Sequence, residues 1–171
     1  VFHRSRGSLI DTDNGAGRAW SFGTQPAAKD LDWTAGPRRA QRGYTPDATL
    51  PLPGLDTSLT EKIDRQGNLL LLGNSRWLIL DGKQQYPDLL DVSNVSHVLV
   101  TNGFKPANLP DFPEESPLII VDGSTPYYRH DAWRKHAELL GLKIHFTAEN
   151  GAFEAVPYTH IRAHVTPEHL V

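Results

Sequence analysis

Five short apolar segments are separated by polar loops from residue 69 onward. They are Leu69–Leu72, 77–80, 98–100, Leu118–Val121 and Ile144–Phe146. Short apolar runs bounded by turn residues are typical of strands. Because these runs are nearly continuous in apolar character, they predict strands buried on both faces, as in a parallel sheet.

Turn residues predict two hairpins in the first part of the chain. Asn-Gly at 14–15 separates predicted strands over 8–11 and 19–22. Residues 73–76, Gly-Asn-Ser-Arg, separate the first two apolar segments in the same way. Residues 45–53 contain three prolines and are predicted to form an extended connection.

One helix is predicted before the last apolar segment. Trp133, Ala137 and Leu140 fall at i, i+4 and i+7, which places them on one helical face. Gly141 is a natural residue to end that helix. A further Asn-Gly pair predicts a hairpin over 149–156. The pattern as a whole indicates a mixed α/β domain.

Composition narrows the class of protein. The 171 residues suit one domain with a real core, and 39% of them are apolar. No apolar run approaches the roughly 20 residues of a membrane span. The net charge of −3 gives no overall nucleic-acid signature. The absence of Cys excludes disulfides and thiolate metal sites.

The chain begins at Val1 and contains no Met. Since translation begins with Met, we expect a piece of a longer polypeptide.

Polar residues at strand ends are the candidates for chemistry. Asp81 and Asp122 each follow a buried segment, and Thr101 and Asn102 follow another. Carboxylates in such places hold metals, act in catalysis or cap the following turn. There is no His-x-His-x-Asp-His block, nucleophile elbow or phosphate-binding loop in the sequence.

Five stretches carry a resemblance to a known family. They are 119–124 (IIVDGS), 128–130 (YRH), 133–135 (WRK), 140–147 (LGLKIHFT) and 149–153 (ENGAF). Together they resemble the C-terminal end of ComEC proteins, the inner-membrane DNA-uptake channels of bacterial competence. The resemblance is specific over residues 118–156, moderate over 69–103 and weak before that.

The resemblance implies a fold and a degenerate site. The fold is α/β, a metallo-β-lactamase-like two-sheet sandwich with flanking helices, truncated and degenerate. It implies one domain over residues 1–156 and a C-terminal tail over 157–171. Thr101 and Asn102 stand where active members have metal-binding histidines, and neither is a good ligand for zinc or manganese. Asp81, Asp122 and His130 are the remaining candidate metal ligands.

The implied function is that of a non-catalytic, soluble domain of a DNA-uptake channel in the bacterial inner membrane, with a structural or docking role. Its expected partner is the transmembrane channel portion of the parent chain. No cofactor and no small-molecule ligand are expected. One alternative is a metal-dependent phosphodiesterase that uses Asp81, Asp122 and His130 on incoming DNA. Another is an unrelated small α/β binding module.

A basic cluster is the candidate for weak contact with single-stranded DNA. Arg38, Arg39 and Arg42 lie close together in sequence. A solvated loop is the simpler interpretation of such a run. Affinity for DNA comes mainly from neutralising phosphates, and this chain has more acidic than basic residues. Trp77 and Trp133 are expected in the core, which leaves them unavailable to stack on bases.

Overall fold

The fold is known from a computed structural model. It describes residues 2–4, 7–13, 18–23, 36–43, 45–50, 57–60, 63–84, 92–112 and 116–155. The strands are β1 Phe2–Arg4, β2 Gly7–Asp13, β3 Arg18–Gly23, β4 Thr45–Leu50, β5 Thr57–Thr60, β6 Ile63–Gln66, β7 Leu69–Leu72, β8 Ser75–Asp81, β9 Val95–Thr101, β10 Leu118–Val121 and β11 Ile144–Phe146. The helices are α1 Gly36–Arg42, α2 His130–Leu140 and α3 Thr147–Asn150.

The larger sheet has seven strands in the order β11-β10-β9-β8-β7-β6-β5. The pairs β8/β9, β9/β10 and β10/β11 are parallel. The pairs β5/β6, β6/β7 and β7/β8 are antiparallel, so β8 has one neighbour of each kind. All five apolar segments are therefore strands of one sheet, and the mixed α/β class is confirmed. The predicted hairpin at 73–76 is also confirmed, because β7 and β8 pair around it.

Both faces of the larger sheet are buried, as the continuous apolar runs predict. Successive strand residues point to opposite faces, so each strand supplies two core clusters. One cluster contains Ile10, Ile63, Leu70, Trp77, Ile79, Leu99 and Ile120. The other contains Leu78, Leu80, Val95, Val98, Val100, Phe104, Ile119, Val121, Trp133 and Phe146. Ile10 belongs to β2, and Trp133 belongs to α2, so different elements cover the two faces.

The smaller sheet has four strands in the order β1-β2-β3-β4. Pairs β1/β2 and β2/β3 are antiparallel, which confirms the first predicted hairpin as a strand pair. The predicted connection at 45–53 is wrong in part, because Thr45–Leu50 forms β4. Its Pro46 is compatible with a strand because β4 lies at the edge of its sheet, where a missing N–H disturbs no second neighbour.

Helix α2 ends as the sequence predicts. Gly141 has a φ of 65°, in the left-handed region that glycine occupies at little cost. The Gly141 N–H donates to Glu138 O at 3.2 Å, and the Leu142 N–H donates to Ala137 O at 2.8 Å. These two bonds form a Schellman motif and satisfy carbonyls that a helix end would otherwise expose.

The predicted hairpin at 149–156 is wrong in the part that the structure describes. Thr147–Asn150 forms helix α3, and residues 151–155 form no strand. The Asn150 side chain accepts a hydrogen bond from the Phe146 backbone N–H at 3.1 Å, which closes a helical turn. Gly151 then ends that turn with a φ of 81°. The Asn-Gly pair therefore ends a helix here.

Three sequence predictions fall outside the described residues. They concern the first hairpin turn at 14–15, residue 156 and the tail at 157–171. Within the part of the chain that the structure describes, no helix is long and apolar enough to cross a bilayer.

Trp133 should be the side chain on which the α2 packing depends most. Its ring is 0% exposed, whereas Leu139 on the same helix is 81% exposed. Trp133→Ala should lower the free energy of unfolding by about 3–5 kcal/mol, since it leaves a large cavity. Leu139→Ala should change it by less than about 0.5 kcal/mol. Urea unfolding measures both, and equal losses would contradict this packing.

Candidate functional site: the carboxyl edge of the parallel strands

Polar side chains meet where three neighbouring parallel strands end. We call this region the carboxyl edge and define it by Asp81, Thr101, Asn102, Asp122 and Ser124. Asp81 ends β8, Thr101 ends β9, and Asp122 directly follows β10. Parallel strands place their carboxyl ends at one edge, which is where α/β proteins bind ligands. The sequence prediction that chemistry-bearing residues gather at these strand ends therefore points to the right place.

The Asp81 carboxylate joins the loops that follow β8 and β9. Its Oδ2 accepts a hydrogen bond from the Asn102 side-chain amide at 2.9 Å. Its Oδ1 accepts one from the Lys83 backbone N–H at 2.8 Å. Asp81 is buried, so these bonds replace the water that a carboxylate otherwise needs. The bond from the Lys83 N–H is of the kind by which a carboxylate caps the turn that follows it, which is one of the roles that the sequence suggests for Asp81.

Ser124 joins the loops that follow β9 and β10. Its hydroxyl donates to Asp122 Oδ1 at 2.5 Å and accepts the Asn102 backbone N–H at 2.5 Å. The Ser124 backbone N–H also donates to Asp122 Oδ1, at 3.0 Å, which makes a side-chain-capped turn. Asn102 therefore bonds to both neighbours, through its amide to Asp81 and through its backbone to Ser124.

Backbone contact draws the first two loops together. A Cβ on Gly82 would lie 2.4 Å from Asn102 O and 2.6 Å from Phe104 N, so only glycine fits there. Asn102 and Gly103 have φ values of 52° and 69°, a left-handed pair that asparagine and glycine tolerate best. Arg129 donates from Nη1 to Gly103 O at 2.5 Å and thereby holds the outside of this turn.

His130 is buried at the start of α2, and both of its ring nitrogens face oxygens. Nδ1 lies 2.6 Å from Glu149 Oε1, and Nε2 lies 3.3 Å from Thr125 O. The ring stacks on Phe146 with 4.6 Å between ring centroids, and Tyr127 packs at 5.0 Å. His130 is thus committed to the junction between α2 and α3.

Glu149 connects that histidine to a surface arginine. Arg134 Nη2 donates to Glu149 at 2.6 Å from Oε1 and 2.5 Å from Oε2. Arg134 Nη1 donates to Asp131 at 2.7 Å. The hydrogen bond with His130 and then those from Arg134 hold the pKa of Glu149 below its ordinary value. The same contact with Glu149 raises the pKa of Arg134.

Asp81, Asp122 and His130, the candidate metal ligands, are engaged in two separate sets of hydrogen bonds. The two carboxylates, Asp81 and Asp122, share one hydrogen-bond network through Asn102 and Ser124, whereas His130 bonds to Glu149. A metal ligand must turn a free lone pair toward the ion, with several ligands converging. Among the described residues, no group of three or more His, Asp or Glu side chains converges in that way.

The basic cluster lies on α1 and not in a loop. Arg39 is buried and forms an ion pair with Asp11 of β2, with Nε 3.2 Å from both carboxylate oxygens. The Arg39 guanidinium is thus directed to Asp11, and contact of the arginine cluster with DNA stays a prediction. The side chains of Arg38 and Arg42 lie outside those that the structure describes.

A comparison with protein families decides to which family the chain belongs. The sequence profile of the ComEC C-terminal domain matches residues 1–156. The chain belongs to the ComEC C-terminal domain family. Membership associates it with the competence protein ComEC and its uptake of DNA, and it confirms the resemblance found in the sequence. No curated protein and no solved structure matches the chain.

Sequence reasoning missed three features of this ComEC C-terminal domain. The sequence presents Asn102 only as a poor metal ligand, whereas in the structure it joins the three loops. Residue 82 must be glycine because the backbone of Asn102 and Phe104, about twenty residues later in the chain, packs against it. Glu149 is 19 residues from its partner His130, and no local pattern links the two. The first two features lie where parallel strands end, so the strand pattern could have indicated that these loops meet. No sequence pattern indicates the contact between Glu149 and His130.

Replacing Ser124 should separate the loops of this ComEC C-terminal domain. Ser124→Ala removes the acceptor of the Asn102 N–H and should cost about 1–3 kcal/mol of unfolding free energy. Ser116→Ala, at an exposed position just before β10, is the matched control and should be nearly neutral. Denaturant unfolding measures both variants. Equal effects would contradict the joining role of Ser124.

Glu149 should make stability depend on acid pH. Because its pKa is lowered in the fold, its contribution is present above the ordinary pKa of 4.5 and is lost as the pH falls through the folded pKa. Glu149→Gln should therefore destabilise the domain at neutral pH, and the difference should shrink in acid. Thermal unfolding at several pH values measures this. Glu138→Gln, exposed on α2, should show no such trend, and a pH-independent Glu149→Gln effect would refute the prediction.

Proposed function

We propose that this chain is a non-catalytic domain of a bacterial DNA-uptake protein, with a structural or docking role. Its partner is the transmembrane channel portion of the parent chain in the bacterial inner membrane. In this proposal, residues 1–156 form the domain and 157–171 form a tail. Family membership supports the link to DNA uptake, and the carboxyl edge supports the non-catalytic role.

The observation that carries the proposal is the bonding of Asn102. Resemblance to active members places a metal-binding histidine at this position. Here an amide at that position bonds to Asp81, and its backbone bonds to Ser124. Hydrogen bonds that involve the side chains of Asn102 and Ser124 thus join three loops that a metal centre would hold through its ligands. An edge closed in this way has no need of an ion for its structure.

The arrangement of layers supports the finer proposal of a metallo-β-lactamase-like sandwich, trimmed and degenerate. Ile10 of the smaller sheet packs into the core on one face of the larger sheet. Trp133 of α2 packs into the core on the opposite face. A sheet on one side and a helix on the other is the order of layers that such a sandwich requires.

The competing function, a metal-dependent phosphodiesterase, would need a different arrangement of the same residues. Asp81 and Asp122 would have to exchange their hydrogen bonds for metal contacts, and His130 would have to leave Glu149. Metal affinity depends on the number and geometry of ligands. No cofactor and no small-molecule ligand are part of our proposal.

One experiment with two readouts tests the non-catalytic role. The purified chain is mixed with Zn²⁺, Mn²⁺ or Mg²⁺, and its melting temperature and its cleavage of a labelled DNA oligonucleotide are measured. We expect no stoichiometric metal by elemental analysis, a thermal shift below about 1 °C and no cleavage, since an ion that binds only the folded state must stabilise it. Cleavage, or a clear shift that His130→Ala abolishes, would favour the phosphodiesterase.

A further inference from the structure

Two neighbouring tyrosines stand exposed beside the carboxyl edge. Tyr127 and Tyr128 are 74% and 75% exposed, and they form a short 3-10 turn with Arg129. The other Phe and Trp side chains whose burial the structure describes are buried or half-buried. Large rings usually lie at least partly inside a fold. A side-by-side exposed pair is therefore unusual for this domain.

The turn that carries the tyrosines is held in place. The Arg129 N–H donates to Pro126 O at 2.9 Å, and the Thr125 N–H donates to Asp122 O at 3.2 Å. Arg129 also bonds through Nη1 to Gly103 O on the neighbouring loop. Rings on an ordered turn lose little freedom when they bind a ligand, and this preorganisation favours affinity.

One cation contacts the tyrosine pair, and two further lysines lie on neighbouring loops. The Arg129 guanidinium lies 5.7 Å from the centre of the Tyr128 ring. Lys83 and Lys105 are exposed on the loops that follow β8 and β9, so they share this end of the sheet. The Asp81 and Asp122 carboxylates are buried at the edge, and the nearby Asp131 pairs with Arg134.

Flat exposed rings beside cations suit one class of ligand. Single-stranded nucleic acid offers unpaired bases that stack on aromatic side chains and phosphates that pair with cations. A duplex hides the faces of its bases within the stack, and inorganic polyphosphate has no bases. The charge and the rings together thus favour a single strand over both.

We propose that Tyr127 and Tyr128, flanked by Arg129, form a base-stacking platform for single-stranded DNA. The choice of DNA over RNA rests on the proposed function in DNA uptake, whereas the stacking itself rests on the exposed turn. The platform is a separate place of DNA contact from the arginine cluster of α1. It needs no metal and no catalytic group.

Fluorescence anisotropy with labelled oligothymidylate of about 16 nucleotides tests the platform. Binding at low salt should weaken as salt rises, because phosphate contacts contribute. The double variant Tyr127→Ala/Tyr128→Ala should bind at least about tenfold more weakly, given the usual contribution of a base stacked on an aromatic ring. The double Tyr→Phe variant keeps both ring faces and should retain most of the affinity.

Controls separate stacking from charge and from misfolding. Leu139→Ala, exposed on α2 away from the turn, should bind like the unsubstituted chain. The double Tyr→Phe variant keeps the ring contact between residue 127 and His130 and should keep the melting temperature, whereas the double alanine variant should remain folded with only a small loss, since both tyrosines are mostly exposed. Duplex DNA of the same length and inorganic polyphosphate should compete poorly with the labelled strand.

Three results would overturn the platform: no binding at low salt, equal binding by the double alanine variant, or competition by polyphosphate as strong as that by DNA. None of these would touch the non-catalytic proposal, which depends on metal binding and cleavage. Conversely, metal-dependent cleavage would refute the non-catalytic proposal. The platform would still be judged by the DNA affinity of the tyrosine variants alone. Preferential binding of RNA over DNA would overturn the choice of ligand.

Discussion

The rest of the structure depends on burial of the parallel strands β8, β9 and β10 on both faces. Their side chains fill two cores, one shared with the smaller sheet and one with α2. A strand that is apolar on both faces has room for polar groups only at its ends. Because the three strands run in the same direction, the polar residues that follow them gather at a single edge. Two-sided burial thus decides where chemistry is possible in this domain.

At that edge, local hydrogen bonds compete with any use of the same groups for catalysis. Asp81 and Asp122 are buried, and a buried carboxylate requires strong donors. Asn102 and Ser124 supply such donors from within the chain. A histidine at the position of Asn102 would carry a ring nitrogen lone pair that suits a metal ion, whereas the Asn102 amide donates an N–H to Asp81. The side chains of Asn102 and Ser124 thus supply one donor each, to Asp81 and to Asp122.

Features that depend on local pattern could be predicted, and features that depend on distant contacts could not. The apolar strands and the helix with Gly141 at its end follow from periodicity and chain propensity. The hairpin predicted from the Asn-Gly pair at 150–151 is wrong, because the Asn150 side chain accepts the Phe146 N–H and the pair ends a helix. The solvated-loop interpretation of Arg39 failed because its partner Asp11 lies 28 residues away. The carboxyl edge was located from sequence, but its network of bonds was not.

Exposure of the tyrosine turn follows from the same network. Asp122 caps the turn that begins the loop after β10, and Arg129 ties the end of that loop to Gly103. Both ends of the segment are thus fixed, and Tyr127 and Tyr128 between them are exposed. His130, one residue beyond, is held inside by Glu149 and Phe146, so the chain enters α2 at a fixed point. The bonds of Arg129 and His130 thus fix the turn that leaves Tyr127 and Tyr128 exposed to solvent.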